Sequence, residues 1–339
     1  MPLRKWESEM RKYNLPIFIP HRGCPHDCCF CNQRKITGVD TEITTDEIRT
    51  KIETFLGTVE KNSSVEVAFF GGSFTGLNLE TQEAFLKVAS DFSEKIEGIR
   101  ISTRPDYING GILDLLEKYN VTTIELGVQS SDNEVLTLNK RGHSFEDVVI
   151  ASRLIKERGI ALGHQMMLGM YGSTPEKDMK TVEDIIAQKP HCVRIYPVVT
   201  LKGTALERFY LDGEYEPYSV EMAARLAKTA VCAFRENGID IIRVGLHSSE
   251  ELEKDDNVVA GPYHQAFGEL VESLIYRDKI EEEIARKGLR DCEFDFYCER
   301  SDVSKAVGHK RMNKDYFREK YGITIKVREK VGFDDGKNS

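Results

Sequence analysis

The 339 residues are 40% hydrophobic and 30% charged, enough to bury one large domain with a small appendage. The charged start, Met1 to Tyr13, lacks an apolar export core and no run is long enough to span a bilayer. A cytoplasmic protein with no membrane partner is therefore expected, and a net charge of −9 excludes broad, non-specific nucleic-acid binding. In chain order, strand-like runs at 16–20, 65–70, 98–103, 122–128, 161–168, 192–199 and 239–246 alternate with helical patterns. The helices fall at 45–56, 79–96, 111–119, 145–158, 176–188 and 220–237, with caps at Thr44 or Thr45, Asn78, Ser144 and Ser219. Asn120, Gly159 and Gly238 mark helix stops. The alternation predicts an α/β chain with a parallel sheet, an open (β/α)6-type partial TIM barrel over 1–250. A helical connection (251–290, with the long helix at 262–287) and a small basic α/β appendage (291–333) follow. In the appendage, strands at 293–298 and 323–328 flank helices at 303–307 and 314–321.

Polar and glycine residues gather after the strands, where such a barrel builds its site. The first group is Gly23-Cys24-Pro25-His26-Asp27-Cys28-Cys29-Phe30-Cys31. Cys24, Cys28 and Cys31 are spaced C-x3-C-x2-C, and three thiolates on one loop hold three irons of a [4Fe–4S] cube, leaving the fourth open. The competing reading is a zinc knuckle with His26 or Cys29 as a fourth ligand. Cys192, Cys232, Cys292 and Cys298 are scattered and read as inert thiols. Next, the apolar run into Gly71-Gly72-Ser73 allows close backbone approach to a small polar ligand. His164, within an apolar strand, reads as an imidazole satisfied in the core, and Met166, Met167 and Met170 as packing. Tyr263 and His264, beside a helix start, are candidates for the barrel mouth.

The cysteine spacing resembles the radical S-adenosylmethionine (radical SAM) superfamily. Ile101-Ser102-Thr103-Arg104-Pro105-Asp106-Tyr107, Ile124-Glu125-Leu126-Gly127-Val128-Gln129-Ser130 and the later Lys140-Arg141-Gly142-His143 are similar to the radical SAM domain of the Elongator catalytic subunit. The second half is also similar to oxygen-independent coproporphyrinogen oxidase. The resemblance spans roughly residues 15–250. It implies a cluster whose open iron is chelated by S-adenosylmethionine, one-electron cleavage of the sulfonium to a 5′-deoxyadenosyl radical, and a reducing donor of ferredoxin or flavodoxin type. It implies cofactor contacts at Phe30, Gly71, Gly72, Ser73, Gln129 and Gln165, and candidate catalytic roles for Arg104, Asp106 and Gln129. The bland alternatives are a surface ion pair for Arg104 and Asp106 and a strand-end cap for Gln129. Two departures stand out: the cluster spacing is shorter than Elongator's, and Gln33 occupies the place of coproporphyrinogen oxidase's additional cysteine. Too few residues follow the barrel for an acetyltransferase domain, so acetyl transfer is not implied.

From Lys305 to Lys330 nine Lys/Arg face three acids, a net +6 that leaves −15 for the rest. Gly308-His309-Lys310-Arg311 between two short helices resembles the basic loop of a KH module, with the second glycine missing. Lys310, Arg311 and Lys314 are thus candidate RNA contacts; the alternative is a lid with a solvated charged face. The expectation is a radical SAM enzyme acting on RNA, a tRNA base in particular. Competing readings keep the enzyme on a small metabolite or tetrapyrrole, or make the chain a non-catalytic cluster- or RNA-binding protein.

Overall fold

The computed structural model describes residues 11–19, 28–32, 43–60, 63–246, 252 and 257–330. Seven parallel strands form one curled sheet: β1 (Lys12–Ile19), β2 (Ser64–Gly71), β3 (Gly98–Thr103), β4 (Val121–Gln129), β5 (Ala161–Leu168), β6 (Cys192–Pro197) and β8 (Asp240–Val244), in that spatial order. Between them run α1 (Thr45–Leu56), α2 (Leu79–Ser90), α3 (Gly110–Lys118), α4 (Asn133–Leu138), α5 (Phe145–Glu157), α6 (Pro175–Gln188), α7 (Ala205–Leu211) and α8 (Val220–Glu236). This is the expected partial TIM barrel. Strands next to each other in sequence sit next to each other in space because each helix crosses back over the same face.

The anticipated signals produce the helix boundaries. Thr44 and Glu47 close a capping box on α1, Ser144 and Asp147 another on α5, and Asn78 and Ser219 cap α2 and α8. Asn120, Gly159 and Gly238 all take left-handed φ of +56°, +70° and +69°. Helix α2 is shorter than expected, because residues 89–95 tighten into i→i+3 turns such as Phe92 N–H to the Ala89 carbonyl. α4 and α7 went unread because neither is long enough to display a helical period.

Alternation along the strands sorts the two faces of the sheet. Ile17, Val67, Phe69, Ile101, Ile124, Leu126, Val193 and Ile195 pack against Ile48, Leu86, Val148, Ile155 and Phe234 of the helices in the main core. The opposite set on β2, β3, β4 and β6 carries charge. Arg100 bonds Glu66 at 2.7 Å and Glu125 at 2.8 Å, and Arg194 Nε bonds Glu125 at 2.5 Å. Burial would lower both guanidinium pKa values; Glu66 and Glu125 around Arg100, and Glu125 around Arg194, outweigh it and raise them. Glu125 is 2% exposed, so this ladder is held inside the barrel rather than on its surface.

Beyond the barrel, β7 (Thr200–Leu201) and β9 (Val258–Ala260) pair antiparallel, and α9 (Phe267–Lys287) packs on α8 and β8. The last elements are β10 (Glu293–Cys298), α10 (Val303–Val307), α11 (Met312–Tyr321) and β11 (Thr324–Glu329), with β10 and β11 parallel. They close a second core of Phe294, Phe296, Phe317, Ile323 and Ile325 against Tyr276, Ile280 and Ile284 of α9. Among the described residues, no helix is long and apolar enough to cross a membrane.

Candidate active site

The carboxyl ends of the strands bring the cysteine loop, the ends of β4 and β5, and the segment after α4 together. Cys28 and Cys31 share a tight turn closed by Cys31 N–H on the Cys28 carbonyl at 3.0 Å. Cys24 and His26 lie outside the described residues. Cys29 points the other way: its thiol donates to Asn139 Oδ1 at 2.9 Å, and its carbonyl accepts Leu206 N–H at 2.8 Å. Asn139 is fully buried and donates in turn to the carbonyls of Val135 and Tyr171. Burial, with Cys28 nearby, pushes the Cys29 thiol up to about 12, so it stays protonated and anchors the loop. A zinc site using Cys29 as the fourth thiolate would have to tear out this anchor.

Arg141, which did not figure among the expected site residues, reaches the Cys28 sulfur. Its Nη1 donates to Cys28 Sγ at 3.4 Å and its Nη2 to the Gly127 carbonyl at 3.0 Å, while Nε is buried with no partner among the described residues. A buried, incompletely bonded guanidinium carries a cost that an anionic ligand would remove. The sequence signal was the Lys140-Arg141-Gly142-His143 run itself. Only the fold, which returns the chain after α4 onto β4, shows that Arg141 faces the cysteines.

Gln129 ends β4 with φ +68°, a left-handed conformation uncommon for a residue other than glycine. The register of β4 on β5 slips between Gly127 and Gln129, which re-aims the glutamine side chain. Gln165 Nε2 reaches Gln129 Oε1 at 3.5 Å. Gly127 makes this crowding feasible, because a Cβ there would lie 2.9 Å from Gln129 Nε2 and 3.2 Å from Arg141 Nη2. Strain of this kind, about 1–3 kcal/mol, persists where the surroundings over-determine it and marks functional positions.

The other expected residues distribute differently. Gly71, at φ +106°, brings the chain so close to β1 that a Cβ would sit 2.8 Å from the Ile19 carbonyl. The hydroxyl of Ser73 is engaged within the protein, 2.8 Å from Thr103 Oγ1 and accepting from Arg104 N–H at 3.2 Å. Arg104 is not at the surface as the bland reading had it: its side chain is 4% exposed, bidentate with Asp106 at 3.0 Å and over the Tyr107 ring. Among the described residues, no hydrogen bond or ion pair ties Arg104 or Asp106 to Gln129 or Gln165. Phe30 packs beside Met167, Met170 and Tyr215. His164 faces the helices, its Nε2 2.9 Å from Ser152 Oγ, and burial pushes it down to about 3; it is a core imidazole satisfied at one nitrogen only, since Nδ1 has no partner among the described residues. Lys310, Arg311 and Lys314 stand apart on the appendage.

A model of the radical SAM superfamily matches residues 18–185, and one of the radical SAM C-terminal domain matches residues 190–277. The tRNA uridine(34) acetyltransferase of Methanocaldococcus infernus is 32% identical over 206 residues, which is 54% of this chain and 39% of that protein. Elongator complex protein 3 of Homo sapiens is 29% identical over 188 residues, 48% of this chain and 34% of that protein. The chain thus spans well under half the length of these two relatives. Among solved structures, M. infernus Elp3 with an N-terminal deletion superposes with a TM-score of 0.62 at 26% identity, over 83% of this chain and 64% of that one. With the seven-stranded open barrel and two adjoining family matches in agreement, the chain belongs to the radical SAM superfamily and is an enzyme.

Proposed function

We propose that this enzyme uses a [4Fe–4S] cluster and S-adenosylmethionine to modify tRNA. The observation that carries the cofactor half is the buried Arg141 guanidinium, bonded to Cys28 Sγ and open at Nε, beside the strained Gln129. The donor set fits: Cys28 and Cys31 on one turn, with Cys24 to complete it, would hold three irons. Arg141 supplies charge-assisted donors suited to a carboxylate. Gln129 and Gln165 would offer amide groups for ribose or amino-acid polar atoms, the Gly71-Gly72 turn and Ser73 would contact the amino-acid end, and Phe30 would stand beside the cluster. The buried Arg104, held by the exposed Asp106, braces the turn after β3. When bound, the pair of cofactors supplies one-electron cleavage of a sulfonium and abstraction of a substrate hydrogen.

The tRNA half rests on the relatives, whose names place them on tRNA uridine 34 and in Elongator. The enzyme is read as cytoplasmic and fed electrons by a ferredoxin- or flavodoxin-type donor. Anoxically purified protein should be brown, carry about four irons per chain, and form 5′-deoxyadenosine with dithionite. A filled cluster without that product would leave a non-catalytic carrier and overturn the proposal. The substrate is tested separately: tRNA from a deletion strain should lack one modified nucleoside by mass spectrometry. An unchanged nucleoside profile, with a small-molecule metabolite accumulating instead, would exclude tRNA.

A further inference from the structure

We infer that Gly308-His309-Lys310-Arg311, together with Lys314, is a clamp for the phosphate backbone of RNA set at the rim of the active site. The choice of polymer rests on the tRNA reading above; the clamp itself rests on how the appendage distributes its charge. Five of its cations are neutralised locally: Lys305 by Asp302, Arg318 by Asp315, Lys320 by Glu281, Lys326 by Glu293 and Arg328 by Asp295. These form the solvated charged face that the lid reading requires. Lys310, Arg311 and Lys314 make no ion pair among the described residues, although they stand within one turn of each other on a chain of net charge −9. Water and salt screen these charges in part, and an anion from outside would bind them with further gain.

The backbone points the same way. Lys310 (φ +47°) and Arg311 (φ +68°) are consecutive left-handed residues, in a place where glycine would be free of strain. The conformation is imposed by a buried frame. His309 N–H donates to Ser273 Oγ at 3.0 Å, and Asn313 Nδ2 donates to the carbonyls of Ser273 and Ala306 at 2.8 and 3.2 Å. Arg277 Nε fixes the other end of the Asn313 amide at 3.1 Å. Between this turn and α9 lies a cavity of about 640 Å³ lined by Lys305, His309, Lys310 and Arg311, room for a ribose-phosphate unit. His309 Nε2 is buried there without a partner among the described residues. Glu269 and Glu272 stand on the α9 wall of the same cavity; Glu272 pairs with Arg235 and Glu269 Oε2 lies 3.5 Å from His309 Nδ1, so a bound anion would sit on the Lys310–Arg311 side. No apolar side chain stands between His309 and Arg311 to enter a bilayer.

Position completes the case. The His309 ring packs edge-on against His264 at 5.1 Å. His264 belongs to the segment whose Gly261 runs against Val198, just past the end of β6; a Cβ at Gly261 would lie 3.1 Å from the Val198 carbonyl. The turn is thus tied, through His264 and Gly261, to the carboxyl end of β6, the end of the sheet that carries the cysteine loop, and a polymer gripped there would lie towards that end.

The test uses the full-length, cluster-loaded enzyme and a fluorescent tRNA transcript. Lys310→Gln/Arg311→Gln/Lys314→Gln should weaken binding at least about ten-fold at moderate salt and reduce the slope of log K against log[salt] by about 2. Its Tm and iron content should match the wild type, which shows that the fold is intact. Lys310→Gly/Arg311→Gly should raise Tm by relieving the strained φ values, yet lose affinity. A turn serving only the fold predicts the rise in Tm with tRNA binding intact. Unchanged affinity and salt slope in both variants would overturn the clamp, as would equal loss of binding to phosphatidylserine vesicles without loss of tRNA binding. Absence of 5′-deoxyadenosine in the wild type would instead strike the proposed function.

Discussion

Arg141 is the residue on which the site turns, and removing it gives a sharp expectation. Arg141→Met should keep fold and iron content but weaken S-adenosylmethionine binding by about 10- to 100-fold, the worth of hydrogen bonds to a charged group. Equilibrium binding to the reconstituted protein reads this directly; an unchanged Kd would return Arg141 to a purely structural role. Cys29→Ala should retain iron and sulfide while Cys28→Ala and Cys31→Ala lose them, because the Cys29 thiol is committed to Asn139. Quantifying iron per chain after reconstitution separates Cys29 from Cys28 and Cys31. His164 offers a test by pH. Its folded pKa, pushed down to about 3 by burial, lies below the ordinary 6.5, so the folded state resists protonation. Stability is then fully present above about pH 6.5 and declines as pH falls toward the folded value. Asp178, pushed up to about 6 by burial, works in the opposite sense between pH 6 and 3.8, favouring the fold as it takes up a proton. His164→Gln should flatten the fall in urea midpoint between pH 7 and pH 5; an identical fall in the variant would assign the acid sensitivity elsewhere. At this scale the sequence was legible in its spacing, which foretold that Cys28 and Cys31 share one turn. It was opaque for Arg141, because a guanidinium's value depends on what its Nε fails to find.

Among elements, the strands and their caps could be read in advance, since period, cap chemistry and helix stops are local properties. The charged ladder could not. Glu66, Arg100, Glu125 and Arg194 are dispersed over four strands and meet only when the sheet curls. Glu125→Gln removes the carboxylate that both arginines share and should cost about 3–5 kcal/mol, the penalty for stranding buried charge. Urea denaturation measures it, and a loss under about 1 kcal/mol would show that water reaches the ladder. Helix α6 offers the opposite exercise: Lys189 closes it at φ +50°, so Lys189→Gly should stabilise the enzyme by about 1 kcal/mol. No gain in Tm would mean that the Lys189 side chain repays its strain through contacts of its own.

At the scale of the whole molecule, the rhythm of alternating elements disclosed the barrel, and the shift in charge after residue 300 disclosed an appendage of different character. The manner in which the appendage meets the barrel depends on α9, whose residues serve both the main core, through Phe267 and Val271, and the second core, through Ile280 and Ile284. Such double membership has no signature in a hydrophobic pattern, which reports burial without naming the neighbour. Finally, among the described residues the sheet has seven strands, with β1 and β8 as its two margins. A closed eight-strand ring would have to be loaded from its top, one small molecule at a time. A wall with a lengthwise seam lets a long chain lie alongside and turn a single unit inward while its neighbours remain in water.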